Sequence, residues 1–260
     1  MAQKKYYVVW KGRETGIFED WPSCQRLVSG FPGAKYKSFK TAAEASAAFA
    51  NPASAGGAKK PSRSAATGKP ANRRQNVKTW SAEEVDALTV DTRIFTDGGC
   101  EPNPGNAGSG MAIYRNGQIS ELWYGLYNPN GTNNTAELNA LHQAFLQAQV
   151  ELAAGRSVAV LSDSKYSIQC ITQWAVNWEK RGWKKADGEI KNLALIQEIY
   201  ALYLQIKDRV QVLHVNGHVG VEGNELADRM SIKAMTEHTR EFSRYSDPID
   251  LAEILAMRAG

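Results

Sequence analysis

Four acids occupy places where a carboxylate could do chemistry. Asp97 follows the strand Arg93 to Thr96, Asp163 follows the apolar strand "VAVLS", Glu137 falls in the first turn of a helical stretch, and Asp228 lies in the opening turns of "NELADRMSIKAM". Singly, each has a commonplace use, because aspartate forms turns and acids near helix N-termini are favoured by the dipole. Together they differ: four carboxylates within a few ångströms would raise one another's pKa unless cations neutralised them, so convergence implies metal. Oxygen-only ligands select hard ions, above all Mg²⁺ or Mn²⁺. Two such ions roughly 4 Å apart can activate water on one side of a phosphorus and stabilise the leaving oxygen on the other.

The elements that must position these acids can be read from periodicity. After residue 91 come a strand at Arg93 to Thr96, strands in "GSGMAIYRNG" and "ISELWYGLY", a helix from Ala136, the strand "SVAVLSD", helices after Ser164 and Asn192, the strand "VQVLHV", and a helix from Asn224, a plausible cap. Hairpin strands followed by alternating helix and strand imply a mixed α/β sheet with helices packed on it. In such sheets function gathers at the carboxyl ends of strands and at the helix starts that follow. Glu137 precedes an inward stripe of Leu138, Leu141, Phe145 and Ala148, so its carboxylate borders the sheet.

The 260 residues leave room for more than one domain, and their net charge of +4 matters only where cations cluster. They cluster first in "NPASAGGAKKPSRSAATGKPANRRQNVK", a linker by composition, where Lys59, Lys60, Arg63, Lys69, Arg73, Arg74 and Lys78 meet no acid. Such a tether could hover over a polyanion or merely keep two domains soluble. A second cluster, residues 174 to 192, interleaves Trp174, Trp178 and Trp183 with Lys180, Arg181, Lys184, Lys185 and Lys191, as a nucleic-acid channel would. Trp183 is better read as core. Before the linker, "KYYVVWKGRETGIFEDW" alternates like a hairpin and "TAAEASAAFA" is helical after a Thr cap, making a very small domain. Cys24, Cys100 and Cys170 are too scattered for a disulfide framework or a zinc site. With no signal-like apolar region and no run long enough to span a bilayer, a cytoplasmic protein with no membrane association is expected.

The stretches "FTDGGCEPNPGNAGSG", "TNNTAELNAL", "VLSDSKYSI" and "VNGHVGVEGNELADRMS", in that order and spacing, resemble the type 1 ribonuclease H family. The resemblance implies that Asp97, Glu137, Asp163 and Asp228 bind two Mg²⁺ ions, with Mn²⁺ an alternative. They would do so in an enzyme that hydrolyses the RNA strand of RNA·DNA hybrids, leaving 5′-phosphate and 3′-hydroxyl ends. It makes His218 a loop histidine that helps protons or product leave, a duty suited to a group titrating near neutrality. It assigns Cys100, Asn103, Thr132, Asn133 and Asn134 to the RNA strand, where short amides and backbone groups can meet the 2′-hydroxyl. Tyr166, Trp174, Trp178 and Asn192 are assigned to the DNA strand and its phosphate pocket. Where some relatives carry an arginine before the "TN" pair this chain has Asn130, so that phosphate contact is weakened or supplied elsewhere.

Residues 4 to 49 resemble the small hybrid-binding, viroplasmin-like domain found with many of these enzymes, which implies that Tyr7, Trp21 and Tyr36 pack on DNA while Lys37 meets phosphate. The expected architecture is therefore a hybrid-binding α+β domain (1–50), a flexible basic linker (51–90) and a catalytic domain (91–236). The last has a ribonuclease H-like mixed five-stranded sheet and flanking helices. A C-terminal tail (237–260) follows, with a short helix at "DPIDLAEIL" that packs on the catalytic domain. The partner is an RNA·DNA hybrid, and no obligatory protein partner is evident. The alternative is a non-catalytic hybrid-binding or double-stranded-RNA-binding protein that keeps the fold as a scaffold.

Overall fold

The structure is a computed structural model that describes residues 5–28, 31, 34–39, 41–50, 77–185, 188–217 and 220–260. The described residues fall into two compact units, one from the chain up to residue 50 and one from residue 77 onward. No helix among them is long and apolar enough to cross a membrane.

The first unit is a three-stranded antiparallel sheet of β1 (Tyr6–Lys11), β2 (Gly16–Phe18) and β3 (Lys35–Phe39), in the order β2-β1-β3, with α1 (Trp21–Val28) and α2 (Ala42–Ala50). Val9, Cys24 and Val28 form its small core on the α1 side. On the other side, the Trp10 indole N–H donates to Ala48 O at 3.1 Å, tying α2 to β1. Thr41 and Glu44 cap α2 reciprocally: the Glu44 N–H donates to Thr41 Oγ1 and the Thr41 N–H to Glu44 Oε2, both at 3.2 Å.

The second unit opens with β4 (Thr79–Trp80) and α3 (Ala82–Asp86), continues through β5 (Thr92–Glu101), β6 (Gly105–Arg115), β7 (Gln118–Gly131) and α4 (Asn133–Ala153), and then reaches β8 (Val158–Ser162). After β8 come α5 (Lys165–Gln169), a π-helical turn (Cys170–Trp174), α6 (Ala175–Glu179), α7 (Leu193–Ile206), β9 (Val210–Val215), α8 (Glu222–Thr236), β10 (Ser243–Arg244) and α9 (Leu251–Leu255). The strands form one sheet in the order β10-β7-β6-β5-β8-β9-β4. The five central strands are those expected, and two short strands extend both edges, so the sheet has seven strands rather than five. One face packs on α4 and α7 through Leu141, Phe145, Ile196 and Ile199. The other packs on α8 through Leu226, Ala227 and Met230, with Ile254 of α9 joining that layer.

Two expected boundaries change. The linker does not extend to residue 90, because β4 pairs in parallel with β9 and Val85 of α3 is buried in the second core. Lys78 fastens this segment, its ammonium 4.0 Å from the Trp80 ring centroid and 2.8 Å from Glu84. Residues 51–76 lie outside the described region. The strand carrying Asp97 does not stop there either: it runs on to Glu101 because antiparallel β6 pairs with it throughout, Asp97 opposite Gly110 and Glu101 opposite Asn106.

Candidate active site

What ends near Asp97 is the parallel half of its pairing. β8 accompanies β5 only from Thr92 to Thr96, opposite Val158 to Ser162, so Asp97 and Asp163 are the first residues past the last parallel pair of two neighbouring strands. Two glycines let helices close on this point. A Cβ on Gly98 would lie 2.3 Å from the backbone of Ala136 and Glu137, and one on Gly110 would lie 2.1 Å from Ala227 O. Gly98 thus admits the N-terminal part of α4, which starts at Asn133 rather than Ala136, so that Glu137 lies past its first turn instead of within it. Gly110, opposite Asp97, admits α8, which carries Asp228 one residue beyond Ala227.

Asp97, Glu137, Asp163 and Asp228 consequently border one cavity of about 370 Å³, together with Cys100 and Asn133. Burial raises the Asp97 carboxyl well above its ordinary range, and the charges of Asp163, Asp228 and Glu137 push it the same way. Glu137 is pushed up to about 7, first by burial and then by Asp163, against the opposing hydrogen bond from Ser164.

Each acid is also held by protein donors. Asn133 Nδ2 donates to Glu137 Oε1 at 2.8 Å, and Ser164 Oγ donates to Glu137 Oε2. Asn224 Nδ2 donates to Asp163 Oδ2 at 3.2 Å, and the Asp163 carbonyl meets His214 Nε2 at 3.0 Å. His214 in turn reaches Thr79 Oγ1 through Nδ1 at 2.9 Å, which links β4 to the acid-bearing turn. Arg229 Nη1 donates to Asp228 Oδ2, and the Gly260 N–H lies 3.2 Å from each Asp228 oxygen.

Turned toward these partners, the acids do not make a finished metal cage: no group of three or more His, Cys, Asp or Glu among the described residues is drawn together closely enough. The donor chemistry fits hard divalent cations all the same, since the four side chains are all carboxylates on one cavity and their mutual charge is what a cation relieves.

The polar loop falls where the sequence placed it. Thr132 caps α4, accepting from the Thr135 N–H, while the Asn133 N–H donates to Asn103 Oδ1 at 3.3 Å. Cys100 and Asn133 line the cavity, and Asn134, next to Asn133 in the chain, is exposed. Asn192, in a left-handed conformation (φ 58°), precedes α7 and accepts from Thr135 Oγ1 at 3.3 Å. Tyr166, Trp174 and Trp178 form a run of rings with centroids 5.9 Å apart at each step, partly covered by the α4–α7 core. The π-helical turn, a rare geometry often found at functional sites, places Trp174 in that run. Trp183 packs edge-on against Tyr200 and belongs to the core, as read from sequence. Lys180, Arg181, Lys184, Lys185 and Lys191 are exposed.

In the first unit, Trp21 stands between Tyr7 and Tyr36, with centroid distances of 5.5 and 5.8 Å, and is 38% exposed. Lys37 does not join them. It is opposite Val8 and next to Tyr36 in β3, so it points to the other face, where its ammonium lies 5.7 Å from the Phe39 ring. His218 lies outside the described residues. Asn224 proves to be inside α8, whose N-cap is Val221; its side chain serves Asp163 instead of capping. Ser164, Asn224 and His214 were missed as site residues. Only Ser164 carried a local signal, a serine between an acid and a helix.

The RNase H family matches residues 89–236, and the ribonuclease H1 N-terminal domain matches residues 5–49. The ribonuclease H of Thermosynechococcus vestitus is 44% identical over 143 residues, covering 54% of this chain and 86% of the relative. The ribonuclease HI of Pseudomonas aeruginosa is 39% identical over 149 residues, covering 56% of this chain and 95% of the relative. Among solved structures, a type 1 RNase H with the type 2 active-site motif superposes with a TM-score of 0.51 at 25% identity, covering 64% of this chain and 81% of its own.

Proposed function

This chain belongs to the ribonuclease H family and hydrolyses the RNA strand of RNA·DNA hybrids as a divalent-metal-dependent enzyme; we propose that Asp97, Glu137, Asp163 and Asp228 carry that reaction. The observation that supports the assignment is the meeting of four carboxylates from β5, α4, the end of β8 and α8 on one cavity, with the Asp97 carboxyl driven upward first by burial and then by the charges of the other three. These side chains would hold two Mg²⁺ ions, which when bound supply Lewis-acid stabilisation of both the entering and the leaving oxygen.

The chain's own groups bind and orient. Asn133, Asn103 and the Cys100 backbone face the RNA strand, where amide donors and acceptors tell a 2′-hydroxyl from hydrogen. Tyr166, Trp174 and Trp178 offer ring faces to deoxyribose and Asn192 serves the DNA-phosphate pocket, while Thr132, on the RNA side, is joined to Asn192 through Thr135. Ser164 and Asn224 hold Glu137 and Asp163 in place by donating to them. In-line hydrolysis forms a bond from a water oxygen to phosphorus and breaks the P–O3′ bond, leaving 5′-phosphate and 3′-hydroxyl ends. His218, by its place in "NGHVG", carries protons or product away. The first unit, through Tyr7, Trp21 and Tyr36, holds the hybrid and raises its local concentration for the second. The enzyme acts in the cytoplasm without an obligatory protein partner.

Labelled RNA·DNA hybrid should be cut in Mg²⁺ and spared in EDTA, while RNA·RNA and DNA·DNA persist. Asp97→Asn should bind hybrid as tightly as the parent and cut it at least about 10³-fold more slowly, in line with losing a group on which transition-state charge depends. Retained turnover in that variant removes Asp97 from the assignment.

A further inference from the structure

The cavity ringed by the acids has one cationic side chain on its wall among the described residues, and it comes from an unexpected quarter. Arg258 lies beyond residue 236, where the family match ends, in a segment for which neither the motifs nor the relatives supply a duty. It stands beside Glu101, at the end of β5 and next to the Cys100 to Asn103 loop that faces the RNA strand.

The segment is fastened on both sides of the arginine. Before it, α9 buries Ile254 to 1% exposure, Asp250 caps the helix by accepting from the Glu253 N–H at 3.1 Å, and Leu255 O accepts from Arg229 Nη2 at 3.5 Å. After it, the Gly260 N–H meets Asp228. The guanidinium itself is loosely committed: it pairs with Glu101, and the two side chains are 67% and 65% exposed. An ion pair so open to water contributes little, so exchanging one anion for another costs little.

A nucleic-acid strand reaching this cavity meets four acids and Glu101 beside them. Cations held by the four acids would answer for the charge of the linkage being cut, whereas a neighbouring phosphate on the RNA strand would need a cation from the protein. A planar guanidinium can grip two phosphate oxygens at once. We propose that Arg258 binds an RNA-strand phosphate next to the cleaved linkage, leaving Glu101 to do so, and that residues 251–260 form part of the substrate-binding face. The proposal rests on the hydrolase reading above.

The test compares Arg258→Ala, Arg258→Lys and Glu101→Gln in the full chain, measuring kcat and KM on a short hybrid over a range of salt. Arg258→Ala should raise KM by about tenfold with kcat within about twofold, and its dependence of log(kcat/KM) on log salt should be less steep by about one. Arg258→Lys should keep the slope and recover part of the affinity, since it retains charge without the fork. Glu101→Gln frees the guanidinium and should leave KM equal to or below the parent value. Unchanged KM and slope in Arg258→Ala would overturn the proposal while leaving hybrid cleavage intact. Two other results would also overturn it: Glu101→Gln behaving like Arg258→Ala, which would make the pair a fastening of the segment, or faster cleavage by Arg258→Ala, which would make the segment a cover over the acids. Were the parent not to cut hybrid at all, the hydrolase reading would fall, and the salt slope of hybrid binding by the same variants would still decide the fate of Arg258.

Discussion

Glu137→Gln should make the protein more stable when divalent cations are withheld, and the gain should depend on pH. The Glu137 carboxyl is pushed up from 4.5 to about 7, mainly because it is buried, with Asp163 adding to the shift. An acid whose folded pKa exceeds its unfolded value costs nothing below the unfolded value, where both states are protonated. The cost grows through the interval from about 4.5 to about 7 and is complete above it. At about 1.36 kcal/mol per pKa unit the full cost is about 3 kcal/mol. Glutamine offers one acceptor oxygen where Asn133 and Ser164 donate to two, so one of those bonds is lost or must reverse, which lowers the net gain to about 1–3 kcal/mol. For a unit of this size that is a rise in Tm of roughly 3–10 °C. Thermal unfolding of the full chain in EDTA, at about pH 8 and about pH 4.5, reads the difference. The variant should lead at the higher pH and lose its lead at the lower, while Mg²⁺ should raise the Tm of the parent more than that of the variant. Equal stability at pH 8 in EDTA, or the same gap at both pH values, would refute the electrostatic account of this acid.

Two shorter predictions concern boundaries and binding. A fragment starting at residue 77 should fold and cut hybrid, whereas one starting at residue 91 loses β4, α3 and the Thr79 partner of His214, and its urea midpoint should reflect a loss of about 3 kcal/mol or more as the cover of Val85 goes; equal midpoints would show that residues 77–90 are dispensable. Trp21→Ala removes the ring that joins Tyr7 to Tyr36, so affinity for long hybrids should fall by about tenfold, at roughly 1–3 kcal/mol per stacked base, while cleavage of short ones persists; undiminished binding in a filter or anisotropy assay would give the first unit another duty.

The four acids were legible as candidates because each sits beside a local signal: a strand before Asp97 and Asp163, a helical stripe after Glu137, a helix start near Asp228. What could not be read was how far pairing would carry a poor strand sequence. "GGCE" has little strand propensity, yet β6 supplies partners as far as Glu101, and this outweighs propensity. β4 is two residues at the end of a linker-like composition, and only parallel pairing with β9 makes it a strand. Asn224 has the residue type of a cap, but α8 starts two residues earlier and frees its amide for Asp163, a contact spanning 61 positions. Arg258 carries no local signal: α9 stops at Leu255, and the arginine just beyond it lines the cavity. The resemblance placed Lys37 on phosphate beside the aromatic residues, and strand alternation turns it to the other face from Tyr36. For the two strands and for Asn224 the deciding partner is distant in the chain.

The central claim is that these four carboxylates form one divalent-cation site. Calorimetric titration of the nucleic-acid-free protein with Mn²⁺ or Mg²⁺ tests it most directly, run beside Asp97→Asn. The parent should show saturable binding with proton release near neutral pH, and the variant should bind at least about tenfold more weakly. Identical isotherms for the two proteins, or no saturable binding by the parent, would contradict it.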